Sequence, residues 1–366
     1  MPTDRFVTRR NKLLRALHKT DAKALLVTNF TNVSYLTGFS GDDSWLLVSP
    51  NCTILISDSR YQIQLAEECP DLDVVIRSNR QPIVESTVKI LKKAKLPNLG
   101  FESDSTTVAQ WETLQAATKS LELVPIAGLV EELREIKDAH ELASLRKAVR
   151  QAQRGFAVMR ASLKGDMTEL EFAHDLEHAM RGFGARAAGF DPIVAVGPRA
   201  ALPHANPTSA RISEADLLLI DWGAMSQDGY RSDLTRVLVT GRISSKLRKI
   251  YEVVLKAQLR GIAAIRPGVT GKQVDAAARS VIEKAGYGKQ FGHGLGHGIG
   301  LDIHEGTRLS PVSKDVLKPG MVITVEPGIY IPGWGGVRIE DDILVTRDGH
   351  EVLTSVPKQF EDAILG

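Results

Sequence analysis

The segment FGHGLGHGIGLDIHEG, residues 291–306, contains three of the chain's nine histidines and has a glycine at nearly every second position. His293 and His297 stand four residues apart, which on a helix would place both imidazoles on one face. The four glycines from 294 to 300 would each cost such a helix about 1 kcal/mol relative to alanine. The segment is therefore not a helical metal-binding pair.

An extended strand gives the same segment a different meaning. Side chains alternate between the two faces of a strand, so we expect His293, Leu295 and His297 on one side and the glycines on the other. A glycine face allows another backbone to approach closely. His304 has the opposite parity and is expected to project from the loop or strand that follows. The sequence predicts a rigid strand that presents imidazoles from a close-packed surface.

Four carboxylates are placed to meet these imidazoles. Asp221 ends the apolar run LLLI, and Asp233 begins the next strand, so a hairpin would bring both to the same end of neighbouring strands. Glu326 follows the run MVITV, and Glu340 lies in GVRIEDD on the strand that returns. A buried carboxylate costs several kcal/mol unless it is paired or bound to a metal. These positions predict one buried acidic site.

The composition of this site selects the kind of metal. Four carboxylates, one imidazole and no thiolate do not suit a structural zinc site. They suit two hard divalent ions that share bridging carboxylates, such as Mn²⁺, Co²⁺ or Zn²⁺. The alternative is a buried polar network without metal.

The chain of 366 residues exceeds the usual size of one domain, which favours two domains. Residues 1–130 alternate helical patterns with short apolar strands and predict an α/β domain. A long charged helical stretch, EELREIKDAHELASLRKAVRQAQRGFAVMRASL, then opens the second half, where helices alternate with strands that end in acidic residues. We expect an α/β (α+β) fold with domains at residues 1–130 and 131–366.

Composition excludes several classes of partner and location. Lys plus Arg number 46 and Asp plus Glu 44, so no strong field favours nucleic acid or an anionic membrane. No apolar run approaches the roughly 18 residues that span a bilayer, and the N-terminal segment lacks the apolar region of a signal peptide. Cys52 and Cys69 form no disulfide framework. We expect a cytoplasmic protein without nucleic-acid or membrane partners.

The ordered set IDWGA, SDLTR, GHGLGHGIGLDIHE, TVEPGIY and GVRIEDD resembles the proline-specific metallopeptidases, aminopeptidase P and prolidase, which have the creatinase or pita-bread fold. NVSYLTGFSGDDSWLLV and ISDSRYQIQLA resemble that family's N-terminal domain, and ELREIKDAHELASLRKA its linker. The resemblance covers nearly the whole chain. It implies a creatinase/prolidase-like N-terminal domain at 1–130, a pita-bread catalytic domain at 131–366, and a homodimer.

The resemblance also implies the ligands of a dinuclear metal centre. Asp221 would chelate one ion, His297 and Glu326 would hold the other, and Asp233 and Glu340 would bridge the two. Mn²⁺ is expected because oxygen ligands predominate, and Co²⁺ and Zn²⁺ fit the same ligands. The interval from Asp221 to Asp233 is one residue longer than the family's commonest spacing, which predicts a longer hairpin tip.

By the same resemblance, the activity is hydrolysis of the bond between an N-terminal residue and proline by metal-activated hydroxide. Glu326 would pass a proton from water to the leaving imino nitrogen. His204 and His304 match the family's outer histidines and would hydrogen-bond the substrate and the developing oxyanion. His293 matches a histidine that lines the substrate pocket.

Two arginines complete the set. Arg338, two residues before Glu340, is expected to orient the ligand carboxylates; the alternative is a surface salt bridge. Arg308, four residues after His304, stands where some prolidases bind the substrate's terminal carboxylate. If Arg308 binds a carboxylate, Xaa-Pro dipeptides are favoured. If it points to solvent, longer peptides are open to the enzyme, as in aminopeptidase P.

Three other functions share the pita-bread fold. The creatinase branch cleaves C–N bonds without metal, and non-catalytic modules bind peptides or proteins; both usually lack the ligand set, whereas all five positions are present here. Methionine aminopeptidase ordinarily lacks a domain like residues 1–130. Metal analysis and a panel of substrates distinguish these alternatives.

Overall fold

The protein is represented by a computed structural model that describes residues 2–365. This part of the chain divides between Arg134 and Glu135 into two compact units. Both units combine helices with sheets, so the predicted α/β fold class is confirmed.

Several helices begin at capping boxes in which a side chain accepts from the first turn. They are α1 (Pro2–Leu17), α2 (Phe30–Thr37), α3 (Gln62–Glu68), α4 (Ile83–Ala94), α5 (Val108–Ala117), α6 (Leu129–Glu135), α7 (Ala139–Ser162), α8 (Glu169–Gly182), α9 (Ser245–Ala264), α10 (Gly271–Lys284) and α11 (Phe360–Ala363). Single 3₁₀ turns lie at Ser59–Tyr61, Gly197–Ala201, Ile212–Glu214 and Gly288–Gln290.

The strands of the first unit are β1 (Leu25–Val27), β2 (Trp45–Val48), β3 (Thr53–Asp58), β4 (Asp73–Arg77), β5 (Asn98–Glu102) and β6 (Glu122–Ile126). They form one mixed sheet of order β4-β3-β2-β1-β5-β6. Leu26 and Leu47 of the sheet pack with Val88 and Leu91 of α4 and with Leu114 of α5 in the core of this unit.

The strands of the second unit are β7 (Ala187–Ala188), β8 (Ile193–Val196), β9 (Leu217–Trp222), β10 (Ala224–Met225), β11 (Leu234–Val239), β12 (Gly296–Gly298), β13 (Glu305–Leu309), β14 (Val322–Val325), β15 (Gly328–Ile331), β16 (Gly335–Arg338), β17 (Asp341–Val345) and β18 (His350–Val352). Sheet orders are β11-β9-β8, β13-β12-β14-β17-β18, β10-β7 and β15-β16. The core between these sheets and helices α9 and α10 includes Leu219, Val254, Ala278 and Ile323.

The long helical stretch that begins the second half is interrupted. α6 ends at Glu135, and α7 begins at Ala139 because the Asp138 carboxylate accepts the backbone N–H groups of His140 and Glu141, each at 2.9 Å. Helical periodicity alone does not reveal this N-cap inside a charged run.

The prediction of a regular strand from His293 to His297 is wrong in its first half. Only residues 296–298 are strand, and Leu295 is fully buried in the core instead of sharing a face with the two imidazoles. The cause is α10, because Arg279 Nη2 donates to the His293 carbonyl at 2.7 Å and Asp275 Oδ1 accepts the Leu295 N–H at 3.1 Å. The chain therefore bends before β12.

The predicted close approach of another backbone is confirmed at two glycines of the motif. A Cβ on Gly296 would overlap the backbone carbonyl of Thr324, and one on Gly294 would lie 2.8 Å from the Leu309 carbonyl oxygen. Neighbouring backbones therefore occupy the space that side chains at these positions would need.

Within residues 2–365, no helix is both long enough and apolar enough to cross a membrane.

Candidate metal centre

A cavity of about 590 Å³ lies within the second unit. Its wall includes Phe190, Ile193, Pro203 and Leu309 beside polar groups. All ten residues that the sequence singled out line it, namely His204, Asp221, Asp233, His293, His297, His304, Arg308, Glu326, Arg338 and Glu340. The structure thus brings the whole predicted set to one place.

The carboxylates reach the cavity from two pairs of antiparallel strands. In the β9–β11 pair, Leu234 lies opposite Trp222 and Thr235 opposite Asp221, which places Asp233 beside the end of β9. The tip of this hairpin closes beyond Met225, where Ser226 N donates to the Tyr230 carbonyl and Gly229 adopts a positive φ of 86°. Glu326 follows β14, and Glu340 precedes β17, its antiparallel partner.

His297 faces these carboxylates through one ring nitrogen. Its Nε2 lies 3.6 Å from Asp233 Oδ2 and 3.5 Å from Glu326 Oε1. Its Nδ1 lies 3.0 Å from the Gly298 carbonyl oxygen, so Nδ1 carries the proton and Nε2 keeps its lone pair. One ligand atom from each of Asp233, His297 and Glu340 lies within 4.8 Å of the others.

The orphaned oxygens of the site show that cations fit. Among the residues that the structure describes, Asp221 Oδ1, Asp233 Oδ1 and Glu340 Oε1 are buried without a hydrogen-bond partner. Buried polar atoms are almost always partnered, and an unpaired carboxylate oxygen is costly. Divalent cations would supply the missing partners, and a cluster of oxygens with one imidazole suits hard ions.

The electrostatics agree with this donor set. Burial and the neighbouring carboxylates Glu340 and Asp221 raise the pKa of Asp233 well above its usual range. Burial, then Glu326 and Asp221, raise the pKa of Glu340 likewise, and burial raises that of Glu326 to about 8. Burial lowers the pKa of His297 to about 3, so its imidazole stays neutral as a ligand requires.

Metal binding is expected to stabilise the protein more at high pH. Raised carboxyl pKa values mean that the folded metal-free chain binds more protons than the unfolded chain, so its stability falls as pH rises from about 4 through about 8. Cations must displace these protons, so their affinity rises over the same window. Calorimetry should show a larger increase in unfolding temperature with Mn²⁺ at about pH 8 than at about pH 6. Equal increases in unfolding temperature at both pH values would show that protons and metal ions do not compete for the same carboxylates.

Arg338 is buried beside the carboxylates and is linked to two of them by hydrogen bonds. The residue is 2% exposed, so the alternative of a surface salt bridge is wrong. Its Nη2 donates to Asp221 Oδ2 at 2.6 Å, Nε donates to the Thr235 hydroxyl at 3.0 Å, and Nη1 donates to the Tyr330 hydroxyl at 2.8 Å. Thr235 in turn donates to Glu340 Oε2 at 2.6 Å. One guanidinium thereby contacts Asp221 directly and Glu340 through Thr235, which are carboxylates from both strand pairs.

Arg338→Lys is expected to lower metal affinity or kcat/KM by about 10- to 100-fold. A single ammonium cannot reproduce the three contacts of the guanidinium, so Asp221 and Thr235 lose their common donor. Titration with Mn²⁺ and steady-state kinetics would measure both quantities. Arg347→Lys, in the exposed turn between β17 and β18, is the matched control and should change neither. A wild-type Mn²⁺ affinity and rate in Arg338→Lys would exclude the orienting role.

His293 belongs to the same network. Its Nδ1 lies 2.7 Å from the Gly294 carbonyl oxygen, which leaves Nε2 to accept from the Tyr330 hydroxyl at 2.9 Å. Burial and Arg338 lower the pKa of His293 to about 4, so it is neutral. The chain of donors runs from Arg338 through Tyr330 to His293.

The outer residues lie on two loops and on β13. His204 is exposed in the loop after the 3₁₀ turn Gly197–Ala201. His304 packs edge to face against His297, with ring centroids 4.3 Å apart, and burial, Arg308 and His204 lower its pKa. Arg308 lines the cavity, and its Nη1 donates to the backbone carbonyls of Glu305 and Thr307.

Sequence reasoning missed the hydroxyls that support the site. Thr235 and Tyr330 bridge Arg338 to Glu340 and His293, and Thr324 Oγ1 accepts the His297 N–H at 3.0 Å and donates to Glu326 Oε1 at 3.3 Å. It also missed Asp342, whose Oδ2 accepts the Asp233 N–H at 3.1 Å. The available signal was their spacing, because Thr235 and Thr324 each stand two residues from a predicted ligand.

A buried cluster of carboxylates and imidazole that lines a cavity is typical of the class of metal-dependent hydrolases. Within that class, residues 143–347 match the model of Metallopeptidase family M24, and residues 9–136 match the Creatinase/Prolidase N-terminal domain. The chain belongs to metallopeptidase family M24 and has the pita-bread fold with a creatinase-type N-terminal domain, as the sequence resemblance implied.

Similar proteins cover almost the whole chain. The Xaa-Pro dipeptidase of Pyrococcus horikoshii is 35% identical over 351 residues, which are 95% of this chain and 97% of that protein. The solved structure of the Xaa-Pro dipeptidase from Bacillus anthracis is 40% identical, with a TM-score of 0.94 over 98% of this chain and 100% of that one. The X-Pro aminopeptidase from Thermotoga maritima is 34% identical, with a TM-score of 0.87 over 96% and 99%.

Proposed function

We propose that this metallopeptidase hydrolyses the bond between an N-terminal residue and proline in short peptides. The observation that carries the proposal is one cavity lined by Asp221, Asp233, His297, Glu326 and Glu340. The first, second and last of these each have a buried oxygen without a hydrogen-bond partner. The similar proteins named for cleavage at Xaa-Pro support this substrate. The presence of all five ligand positions argues against a creatinase-like or non-catalytic protein, and the N-terminal unit argues against a methionine aminopeptidase.

Two divalent ions, Mn²⁺ first and Co²⁺ or Zn²⁺ as alternatives, would be held by these five side chains. Divalent ions at such a centre supply Lewis acidity and lower the pKa of a water from about 15.7 towards about 7. By the family resemblance, Asp233 and Glu340 would be shared by the two ions. One oxygen of each lies within 4.8 Å of the other and of a His297 ring nitrogen.

The chain's own residues would then bind the peptide and move the proton. Glu326 accepts a proton from the attacking water and returns it to the imino nitrogen of proline. His204 and His304 donate hydrogen bonds to the substrate carbonyl as negative charge develops on its oxygen. His293, oriented by its contacts with Gly294 and Tyr330, lines the pocket beside Glu326, with its Nδ1 4.0 Å from Glu326 Oε2.

Arg308 is the proposed determinant of peptide length. Its guanidinium lies on the cavity wall, where a planar pair of donors suits a carboxylate. A dipeptide presents its terminal carboxylate directly after proline, whereas a tripeptide places an amide there. We infer that Arg308 favours Xaa-Pro dipeptides.

Assays of the metal-stripped protein test the function. An Xaa-Pro dipeptide and an Xaa-Pro-Yaa tripeptide are offered with Mn²⁺, Co²⁺ or Zn²⁺ restored separately. Metal-dependent cleavage of the dipeptide alone supports a prolidase with Arg308 as carboxylate anchor. Preference for the tripeptide indicates an aminopeptidase P and removes that role from Arg308. Cleavage of neither peptide with any metal would refute the function.

We also propose a cytoplasmic homodimer. Cys52 and Cys69 are not joined in a disulfide within the part of the chain that the structure describes, which suits a reducing compartment. The dimer follows from the family resemblance, and sedimentation equilibrium would measure it.

A further inference from the structure

Lys137 is a buried cation in the break between α6 and α7. It belongs to the linker segment and is not one of the residues assigned to the metal centre. Its side chain is 1% exposed, and Nζ donates to Glu305 Oε2 at 2.8 Å and to the Glu135 carbonyl at 3.3 Å. Its backbone N–H donates to the Gly320 carbonyl at 2.9 Å. A lysine is almost never fully buried unless it is paired, so this contact requires an explanation.

The partner of Lys137 organises the loop that carries His304. Glu305 Oε1 accepts the backbone N–H of Leu301 at 3.0 Å and that of Asp302 at 3.4 Å. A Cβ on Gly300 would lie 2.6 Å from the same oxygen, so the loop closes tightly on the carboxylate. Residues 300–304 are thus folded around the Glu305 side chain.

His304 depends on that loop for its place in the cavity. It follows the segment that Glu305 holds, and its ring lies against His297, with centroids 4.3 Å apart. Lys137 neutralises and orients the Glu305 carboxylate. Its backbone N–H is hydrogen-bonded to the carbonyl of Gly320, just before β14. A side chain on a loop that is fixed by a buried ion pair is positioned more accurately than a side chain on a solvated loop.

We propose that Lys137 is a positioning residue, which acts through Glu305 to place the His304 imidazole over the metal centre. The assignment rests on the proposed function of His304 as a substrate contact. Removal of Lys137 takes away a cation that lies 2.8 Å from the buried Glu305 carboxylate, so this carboxylate becomes less stable in its place and the loop shifts with it. The five metal ligands lie outside the loop, so the metal content is unchanged.

A double-mutant cycle tests the assignment. Lys137→Met is expected to lower kcat by about 10- to 100-fold with full metal content, because small displacements of a catalytic contact have effects of this size. In the His304→Ala background the same substitution should lower kcat by less than about two-fold, since the contact is already absent. Multiplicative losses in the two backgrounds would overturn the proposal and leave Lys137 with a structural role.

A second variant covers the case in which Lys137→Met does not fold. Lys137→Gln keeps a donor for Glu305, and its smaller fall in kcat must also disappear in the His304→Ala background. Arg146→Met is the matched control. Arg146 lies on α7, pairs with Glu351 at 2.5 Å and does not line the cavity. The substitution should leave kcat unchanged in both backgrounds.

Histidine ring NMR separates this inference from the proposed function. The ring signals of His304, assigned by their loss in His304→Ala, should shift in Lys137→Met and stay in place in Arg146→Met. If no peptide is cleaved but the signals shift, the proposed substrate is wrong and Lys137 still positions His304. Unchanged His304 signals in Lys137→Met would refute the positioning role, whatever the activity.

Discussion

Replacement of Asp233 by asparagine is expected to lower kcat/KM for Xaa-Pro peptides by about three orders of magnitude and to raise the unfolding temperature of the metal-free protein. Metal ions stabilise the transition state by several kcal/mol, and about 1.4 kcal/mol is a factor of ten in rate. Asp233 Oδ2 lies 3.6 Å from His297 Nε2, and its Oδ1 is unpartnered, so asparagine removes a charge that the ions need.

The opposite change in stability follows from the same charge. Burial, Glu340 and Asp221 all raise the pKa of Asp233, so its ionised form is unfavourable in the folded metal-free chain at neutral pH. A neutral amide removes that repulsion and adds a donor for the neighbouring carboxylates. Kinetics at saturating Mn²⁺ would measure kcat/KM, and metal analysis would measure the metal content. Differential scanning calorimetry of the stripped protein would measure the unfolding temperature.

Asp348→Asn is the control for Asp233→Asn. Asp348 lies in the exposed turn between β17 and β18, so the same chemical change there should alter neither rate nor stability measurably. Retention of wild-type turnover and metal content by Asp233→Asn would show that Asp233 is not a ligand.

The position of the ligand set was accessible from the sequence because it depends on local geometry. A hairpin is expected to bring Asp221 and Asp233 to the same end of neighbouring strands. The structure places Asp233 beside the end of β9, two residues before Thr235, which lies opposite Asp221. Glycines in the motif of residues 291–306 similarly signalled close backbone contact, which Thr324 makes with Gly296. The order of the motifs then identified the family.

Contacts between distant segments were not accessible in the same way. Thr235, Thr324 and Tyr330 are typical strand residues, and only the approach of Arg338 and His293 makes them part of the site. Leu295 fitted strand alternation, but Arg279 and Asp275 of α10 bend the chain before β12. The burial of Arg338 likewise depends on packing between the two strand pairs, which local sequence patterns do not indicate.

Glu326→Gln is expected to reduce kcat at saturating Mn²⁺ by about 10²- to 10⁴-fold, the range typical of a lost general base. Among the predicted carboxylate ligands Glu326 is the most accessible, with its side chain 18% exposed against 7% for Asp233 and 12% for Asp221. Its Oε1 accepts from Thr324 Oγ1 at 3.3 Å, and its carboxylate lies beside both His293 and His297. A proton carrier needs this combination of support and access to the cavity.

The amide separates proton transfer from metal binding. Glutamine keeps an oxygen for the cation but cannot accept a proton, so raising the Mn²⁺ concentration should restore metal content without restoring kcat. Thr324→Val removes the hydroxyl that donates to Glu326 Oε1 and accepts the His297 N–H. Its loss of kcat should be smaller than that of Glu326→Gln, because each lost hydrogen bond contributes about 1 kcal/mol. Recovery of kcat in Glu326→Gln once metal is saturating would show that Glu326 acts as a ligand alone and that another group moves the proton.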